Sequence, residues 1–234
     1  MARVGLTLYS VRASCASDLE GTLREVAAMG YEGVEPFDLH GHDPVRVGAL
    51  LDELGLVASS RHAMLDRIES DLEGLAAEAK ELGWRRLVVA WVSPDQLDER
   101  TVERIASAAR AAAGHGLELG YHNHDAEVRT GFVDRLPDDV FLQLDAGWAW
   151  YAETDPVTLL GRGPLVHIKD FRAREPHAFC PVGDGAVGYE RVAPAAVQAG
   201  AEWLLVEQDE TDGSDLDAAR RSLGALRTML ERAA

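Results

Sequence analysis

Apolar residues in this chain come in short runs, and the runs alternate with longer stretches in which apolar positions recur at helical spacing. Short runs rich in branched side chains and bounded by turn residues read as buried strands. They predict strands at 3–9, 32–37, 57–62, 86–92, 117–123, 140–145, 165–169 and 203–208. The periodic stretches between them predict helices at 17–29, 43–54, 69–82, 96–114, 155–161, 189–199 and 214–232. In the helix at 96–114, Leu97, Val102, Ile105, Ala109 and Ala112 share one stripe, the face such a helix buries. Asp18 and Asp215 stand near helix starts, where a carboxylate satisfies free N–H groups and suits the helix dipole. A weak repeat supports this order: Gly30, Gly55, Gly83, Gly116 and Gly200 each follow a predicted helix and precede an apolar residue, and the first three are 25 and 28 residues apart, close to one strand–helix unit.

Eight strands alternating with helices predict a closed (β/α)8 TIM barrel, one domain over residues 1–234. The segment Arg129 to Asp139 contains Gly131 and Pro137, so the helix after strand five is expected to be shortened or missing. A doubly wound open sheet is the alternative, but no strand leads into a Gly-rich phosphate loop.

Composition narrows the partners. With 23 Lys and Arg against 40 Asp and Glu, the formal net charge is −17, which repels a phosphate backbone, so no nucleic acid is expected. No apolar run approaches the 18 residues of a membrane span, and the N-terminus reads directly into a strand rather than a signal peptide. The two cysteines, Cys15 and Cys180, fit no disulfide or zinc-ribbon spacing, and the expectation is a cytoplasmic protein with two free thiols. The expected partners are a small sugar or polyol substrate and, in a homodimer, a second copy of the chain.

The candidate chemistry sits at strand ends. The runs at 117–124, 140–145, 165–170 and 203–209 each acquire His, Asp or Glu at the C-terminal end. Parallel neighbours about 4.8 Å apart would gather those groups at one edge, where barrels build their active sites. Asp145, His167 and Glu207 form a mixed oxygen and nitrogen donor set suited to Mn²⁺, Mg²⁺, Co²⁺ or Zn²⁺. The fourth ligand is left open between Glu127, just past strand five, and His122. Taken singly, each has an ordinary alternative: a hydrogen-bonded core histidine, a helix-capping aspartate, a solvated loop glutamate. Lys169, inside an apolar strand, is either a substrate ligand or a buried partner of Glu207 or Asp209, since an unpaired buried amine would lose its proton. Glu35 and His62 close strands two and three and could hydrogen-bond a polyol. Trp91 and Trp148 could wall a sugar ring or simply pack, and Arg12 could meet a carboxylate at the mouth. His40, His42, His115 and His177 read as solvated.

Leu8-Tyr9-Ser10-Val11-Arg12, Gly30-Tyr31-Glu32-Gly33-Val34-Glu35, Tyr121-His122-Asn123-His124-Asp125, Leu144-Asp145-Ala146-Gly147-Trp148, Val166-His167-Ile168-Lys169-Asp170 and Val206-Glu207-Gln208-Asp209 together resemble the sugar phosphate isomerase/epimerase family of the xylose isomerase-like barrel superfamily. The resemblance covers most of the chain. It implies a divalent metal at the barrel mouth held by four residues from strands five to eight, of which Asp145, His167 and Glu207 match three. In epimerases of that group the strand-five ligand is commonly glutamate and pairs with the strand-eight glutamate for proton transfer. Here His122 stands in that position, and Glu127 is the residue that could supply the missing carboxylate. Members with a His-x-His segment include ketoinositol dehydratase-like and keto-glycoside-processing proteins.

The resulting expectation is a metal-dependent isomerase or epimerase that abstracts a proton beside a carbonyl and passes through a metal-stabilised enediolate. Glu207 would serve as ligand and base, His124 or Glu127 as second acid/base and Lys169 as oxyanion or hydroxyl holder. His122, Glu35, His62 and Trp91 would contact substrate. A dehydratase acting on a keto-inositol or keto-glycoside is the alternative, and a non-catalytic sugar-binding barrel a third reading. A metal-dependent phosphodiester nuclease of the same superfamily is disfavoured by the charge.

Overall fold

The computed structural model describes residues 2–233. Its chain order begins β1 (Arg3–Thr7), α1 (Arg12–Ser17), α2 (Leu19–Met29), β2 (Gly33–Glu35), α3 (Pro44–Leu54), β3 (Val57–Ala58), β4 (Arg61–Ala63), α4 (Leu65–Ser70) and α5 (Leu72–Leu82). It continues with β5 (Arg86–Val89), α6 (Glu99–Gly114), β6 (Glu118–His122), α7 (Asp125–Arg129), β7 (Phe141–Asp145) and α8 (Ala146–Tyr151). The last elements are β8 (Leu165–Ile168), β9 (Asp170–Ala173), β10 (Ala178–Cys180), α9 (Tyr189–Gln198), β11 (Trp203–Val206) and α10 (Asp215–Ala233).

Nine strands run parallel in the order β3-β2-β1-β11-β8-β7-β6-β5-β4. The two ends of that order, β3 and β4, are halves of one chain passage interrupted at Ser59 and Ser60. The ring therefore closes on itself: Ser59 N donates to Val34 O at 2.9 Å and His62 N to Pro36 O at 3.0 Å. Counting the split passage once gives the eight staves of the expected barrel.

Local sequence explains most boundaries. The Asp18 side chain accepts from Gly21 N to start α2, and Asp43 accepts from Val45 N to start α3 with Pro44 in its first turn. Both helices stop at glycines in the left-handed region, Gly30 (φ 99°) and Gly55 (φ 67°). After strand five only the five-residue α7 and one 3-10 turn at Phe132–Arg135 remain, as the Gly131 and Pro137 signals require. One expected helix needs correction. The helix expected at 155–161 is a single 3-10 turn, Pro156–Leu159, held by Asp155 accepting from Val157 N. The segment after strand seven, to which no element was assigned from sequence, forms the antiparallel hairpin β9–β10, whose 171 to 179 register brings Phe171 beside Phe179.

Helices pack on the barrel's outside through one continuous apolar layer. Inside, the lower end of the barrel is plugged by Val88, Leu165, Trp203 and Leu205 with Phe141 against them. The plug fits because small residues face it. A Cβ built on Gly33 would stand 2.5 Å from the Trp203 ring and closer still to the Val57 carbonyl oxygen. Gly33→Ala is expected to cost about 1–3 kcal/mol by overpacking and to lower the unfolding midpoint in calorimetry; an unchanged midpoint would mean the plug is loose. Above the plug the interior turns polar. Both thiols, Cys15 and Cys180, are free and buried, and burial followed by the Asp215 charge pushes Cys15 up to about 12. Among the described residues no helix is long and apolar enough to cross a membrane.

Candidate active site

Strand alternation and register build the site. Asp145 lies beside His167 across β7 and β8, His122 beside Gln143 across β6 and β7, and Leu205 beside His167 across β11 and β8. Inward-facing positions two residues apart therefore stack upward, from the apolar plug through Gln143 and His167 to Asp145, Lys169 and Glu207 at the C-terminal rim. A ligand atom from each of His122, Asp145, His167 and Glu207 lies within 4.8 Å of the others, and all four residues are buried. His122 Nε2 is 3.8 Å from Asp145 Oδ2 and 3.9 Å from Glu207 Oε2. His167 Nδ1 is 2.7 Å from Glu207 Oε2.

The donor set fits a divalent cation. Asp145 Oδ1 accepts from Trp148 N at 2.8 Å and starts α8, but Oδ2 is buried without a hydrogen-bond donor. Lys169 Nζ lies 3.2 Å from that oxygen, so charge faces it off the direction a hydrogen bond needs. A buried carboxylate oxygen aimed at a histidine nitrogen and a second carboxylate is the arrangement a cation completes. Asn123 holds the strand end in place: its Oδ1 accepts from Asp145 N at 3.0 Å and its Nδ2 donates to Asp145 O at 3.3 Å. Neither Asn123 nor Gln143 was singled out from sequence; the available signal was an uncharged amide inside an otherwise apolar strand.

Glu127 is not in this group. Its Oε1 accepts from Tyr121 Oη at 2.9 Å and its Oε2 from His124 N at 3.0 Å, the carboxylate half of a capping box at the start of α7. Both oxygens are committed, and burial raises its pKa. Of the two fourth ligands left open from sequence, His122 is the one whose nitrogen meets the other three residues.

Lys169 is 1% exposed, and its Nζ lies 3.0 Å from Glu207 Oε2 and 3.0 Å from Asp209 Oδ1. Burial alone would lower its pKa; Asp145, Asp209 and Glu207 outweigh that and hold the amine charged. It lies under the cavity floor rather than in its wall, so it meets carboxylates instead of solvent-facing space. Trp148 packs at 5.2 Å from Lys169 Nζ and edge-on to Phe171 and Phe179, as part of that support.

Glu35 and His62, expected at a substrate, separate. Glu35 is fully buried one layer below the rim. Its Oε1 accepts from Ser60 Oγ and Gln143 Nε2, each at 2.6 Å, and its Oε2 from His167 Nε2 at 2.7 Å. Burial raises its pKa, but His62, His167 and these hydrogen bonds overcome it and bring it down to about 2. Glu35 thus touches His167 and not the open space. His62 does border the cavity.

That cavity, about 370 Å³, opens above the cluster. Tyr9, Phe37, Met64, Ala90 and Trp91 form an apolar side, and His62, His122, His124, Glu207 and Asp209 a polar side. Trp91 is 42% exposed. The His124 ring is neutral, pushed down to about 3 by burial and then by Lys169, and its Nδ1 has no protein partner. Asp209 points both oxygens at Lys169, each 3.0 Å from Nζ. Glu207 lines the cavity; its Oε2 faces the cluster, and no protein hydrogen bond engages its Oε1. Arg12 donates to Tyr9 O at 2.9 Å and covers the Tyr9 ring, so it braces the rim.

A family model described as xylose isomerase-like TIM barrel matches residues 23–229. The inosose dehydratase of Geobacillus kaustophilus (strain HTA426) is 28% identical over 188 residues, which are 64% of this chain and 61% of that relative. The inosose dehydratase of Erwinia tasmaniensis is 25% identical over 80% of each chain. The solved structure of a sugar phosphate isomerase/epimerase from Parabacteroides distasonis superposes with a TM-score of 0.79, 20% identity, and coverage of 96% and 95% of the two chains; it shares the fold.

Proposed function

The chain belongs to the xylose isomerase-like TIM barrel family, and from that premise we propose that it is a divalent-metal-dependent dehydratase of a small keto-polyol. It removes the proton beside a carbonyl and expels the neighbouring β-hydroxyl as water. The metal would be held by His122, Asp145, His167 and Glu207. A divalent ion there supplies Lewis-acid polarisation of the substrate oxygens.

The observation that carries this reading is the shortage of carboxylate bases. The end of β6 and the start of α7 present His122 and His124 to the site, Glu127 is tied to Tyr121 Oη and His124 N, and Asp209 is turned onto Lys169. That leaves Glu207, which lines the cavity and whose Oε1 no protein hydrogen bond engages, as the carboxylate beside the cluster. It takes the proton from the carbon beside the carbonyl. The electrons of that C–H bond form the new C=C bond as the adjacent C–O bond breaks, and the departing hydroxyl takes up the proton and leaves as water. His124, with its unpartnered Nδ1, orients the hydroxyl. The apolar side, Tyr9, Phe37 and Trp91, covers the substrate's C–H face and limits water at the reacting carbon. The two relatives named as inosose dehydratases support the same substrate class.

A second reading, isomerase or epimerase, is favoured by one observation: His124 and Glu207 border the same cavity, so a proton taken by one could be returned by the other. Incubating the metal-loaded protein with keto-inositols and keto-sugars in deuterated water separates the two. The dehydratase is expected to release water and give an unsaturated or diketo product seen by NMR and mass spectrometry. Deuterium at the carbon beside the carbonyl without loss of water would establish the second reading instead. Neither change, with metal bound, would leave a binding barrel.

A further inference from the structure

Among the polar contacts inside the barrel, those of Glu35 determine where protons sit on three histidines. The logic needs only donors and acceptors. The Glu35 carboxylate is surrounded by Ser60 Oγ, Gln143 Nε2 and His167 Nε2 at 2.6–2.7 Å, with His62 Nε2 at 3.2 Å. A carboxylate accepts, so the end of Gln143 facing it is the amide NH₂ and the proton on His167 facing it is on Nε2. The other end of Gln143 is then its carbonyl oxygen. That oxygen lies 2.6 Å from His62 Nε2 and 3.1 Å from His122 Nδ1, and it too can only accept. His62 is therefore protonated on Nε2 and His122 on Nδ1.

The consequence falls on the cluster. His122 protonated on Nδ1 keeps its lone pair on Nε2, the atom facing Asp145 Oδ2 and Glu207 Oε2. His167 with its proton pinned on Nε2 offers Nδ1, the atom facing Glu207 Oε2. We propose that Glu35 is a positioning residue which, directly for His167 and through the Gln143 amide for His122, aims both ligating lone pairs at the metal centre. This rests on the metal reading above, and it gives Glu35 a role that does not involve touching substrate. Outer-sphere carboxylates that orient ligating histidines are a recurrent device, and their loss costs roughly 10–100-fold in metal affinity.

Glu35→Gln is the informative variant because it keeps the shape and removes one acceptor. Its NH₂ must face either His167 or the Gln143–Ser60 side. In the first case His167 Nε2 loses its acceptor, and the ring gains from carrying its proton on Nδ1. In the second Gln143 is turned over and presents NH₂ to His62 and His122. Either way one ligating lone pair is lost. Calorimetric titration with Mn²⁺ alone is expected to show roughly 10–100-fold weaker binding in Glu35→Gln than in the wild type. Ser60→Ala, which removes a donor and leaves both histidine contacts intact, should bind within a few-fold of wild type. Equal affinity in Glu35→Gln and wild type would overturn the proposal. Long-range ¹⁵N–¹H NMR of the wild-type histidines tests it without any variant: the ring proton of His122 is expected on Nδ1 and that of His62 on Nε2, and the reverse on His122 would overturn it even if Glu35→Gln failed to fold. A wild type that takes up no Mn²⁺ would instead sink the metal reading, while the NMR result would still decide whether Glu35 sets the tautomers.

Discussion

His167→Ala is expected to lose bound divalent metal and turnover together, by far more than the roughly 10–100-fold that an outer-sphere change costs. His167 contributes Nδ1 to the cluster and at the same time satisfies two carboxylates, Glu35 Oε2 and Glu207 Oε2, each at 2.7 Å. Burial would lower its pKa, yet those two charges raise it to about 10, so the ring bridges them as an imidazolium when only protein groups surround it. Truncation leaves both carboxylates buried without that partner, a change that typically costs about 3–5 kcal/mol. A loss of metal in His167→Ala could therefore follow from a loosened barrel. Asp145→Asn removes that ambiguity. Its Oδ1 can still accept from Trp148 N, so the start of α8 survives, while the unpartnered Oδ2 gives way to a neutral amide nitrogen that cannot ligate. Metal content by emission spectroscopy and kcat/KM should both collapse in Asp145→Asn with the circular dichroism spectrum kept. Wild-type metal occupancy in a folded Asp145→Asn would remove this cluster as the metal site.

That Asp145, His167 and Glu207 meet could be read from the chain because two simple rules compound. Parallel strands in a barrel bring their C-terminal ends to one rim, and period-two alternation sends residues of one parity inward. Residues that obey both rules need no contact prediction. The same rules place Lys169 inward, but they cannot say whether its amine continues up to the cavity or stops among carboxylates; that depends on Asp209, beyond the end of β11. Glu127 went the other way for a local reason. His124 and Glu127 are spaced as N-cap and third helical residue, so a capping box captures the carboxylate before it can reach the mouth. Glu35 looked available because it ends a strand, whereas the Gln143 amide reaches it from across the barrel, a contact 108 residues apart in sequence. The short helices α1, α4, α7 and α8 were also invisible, since five or six residues hold fewer than two turns of the 3.6-residue period and α8 is apolar on most sides. The β9–β10 hairpin lacks an alternating pattern because its exposed part carries Arg172, Glu175 and Pro176.

Lys169→Met is expected to destabilise the fold by roughly 3–5 kcal/mol, since methionine keeps the length and apolar bulk but removes the cation that Asp145, Glu207 and Asp209 share. For a chain of this size that is a fall of roughly 6–20 °C in the unfolding midpoint. The pH dependence has a definite sign. Lysine raised above its unfolded pKa stabilises fully below that value, ~10.4, and loses its effect only as pH rises through the folded pKa. In the variant the three carboxylates lose the amine's charge, and Asp145 and Asp209, which burial already raises above their ordinary values, move further up. Protonation then stabilises the variant as pH falls through the raised values, so the gap to wild type is widest at neutral pH and narrows on acidification. A divalent ion between Asp145 and Glu207 returns positive charge to the same spot. Mn²⁺ should accordingly raise the midpoint of Lys169→Met more than that of the wild type, and the variant should keep its metal while turning over more slowly, because the Asp209 and Glu207 carboxylates at the cavity wall lose the amine that aims them. A midpoint that stays at the wild-type value across pH 5–8, roughly the range of usual maximal stability, would show that those carboxylates do not depend on Lys169, and with it that the charge balance assigned to the barrel mouth is wrong.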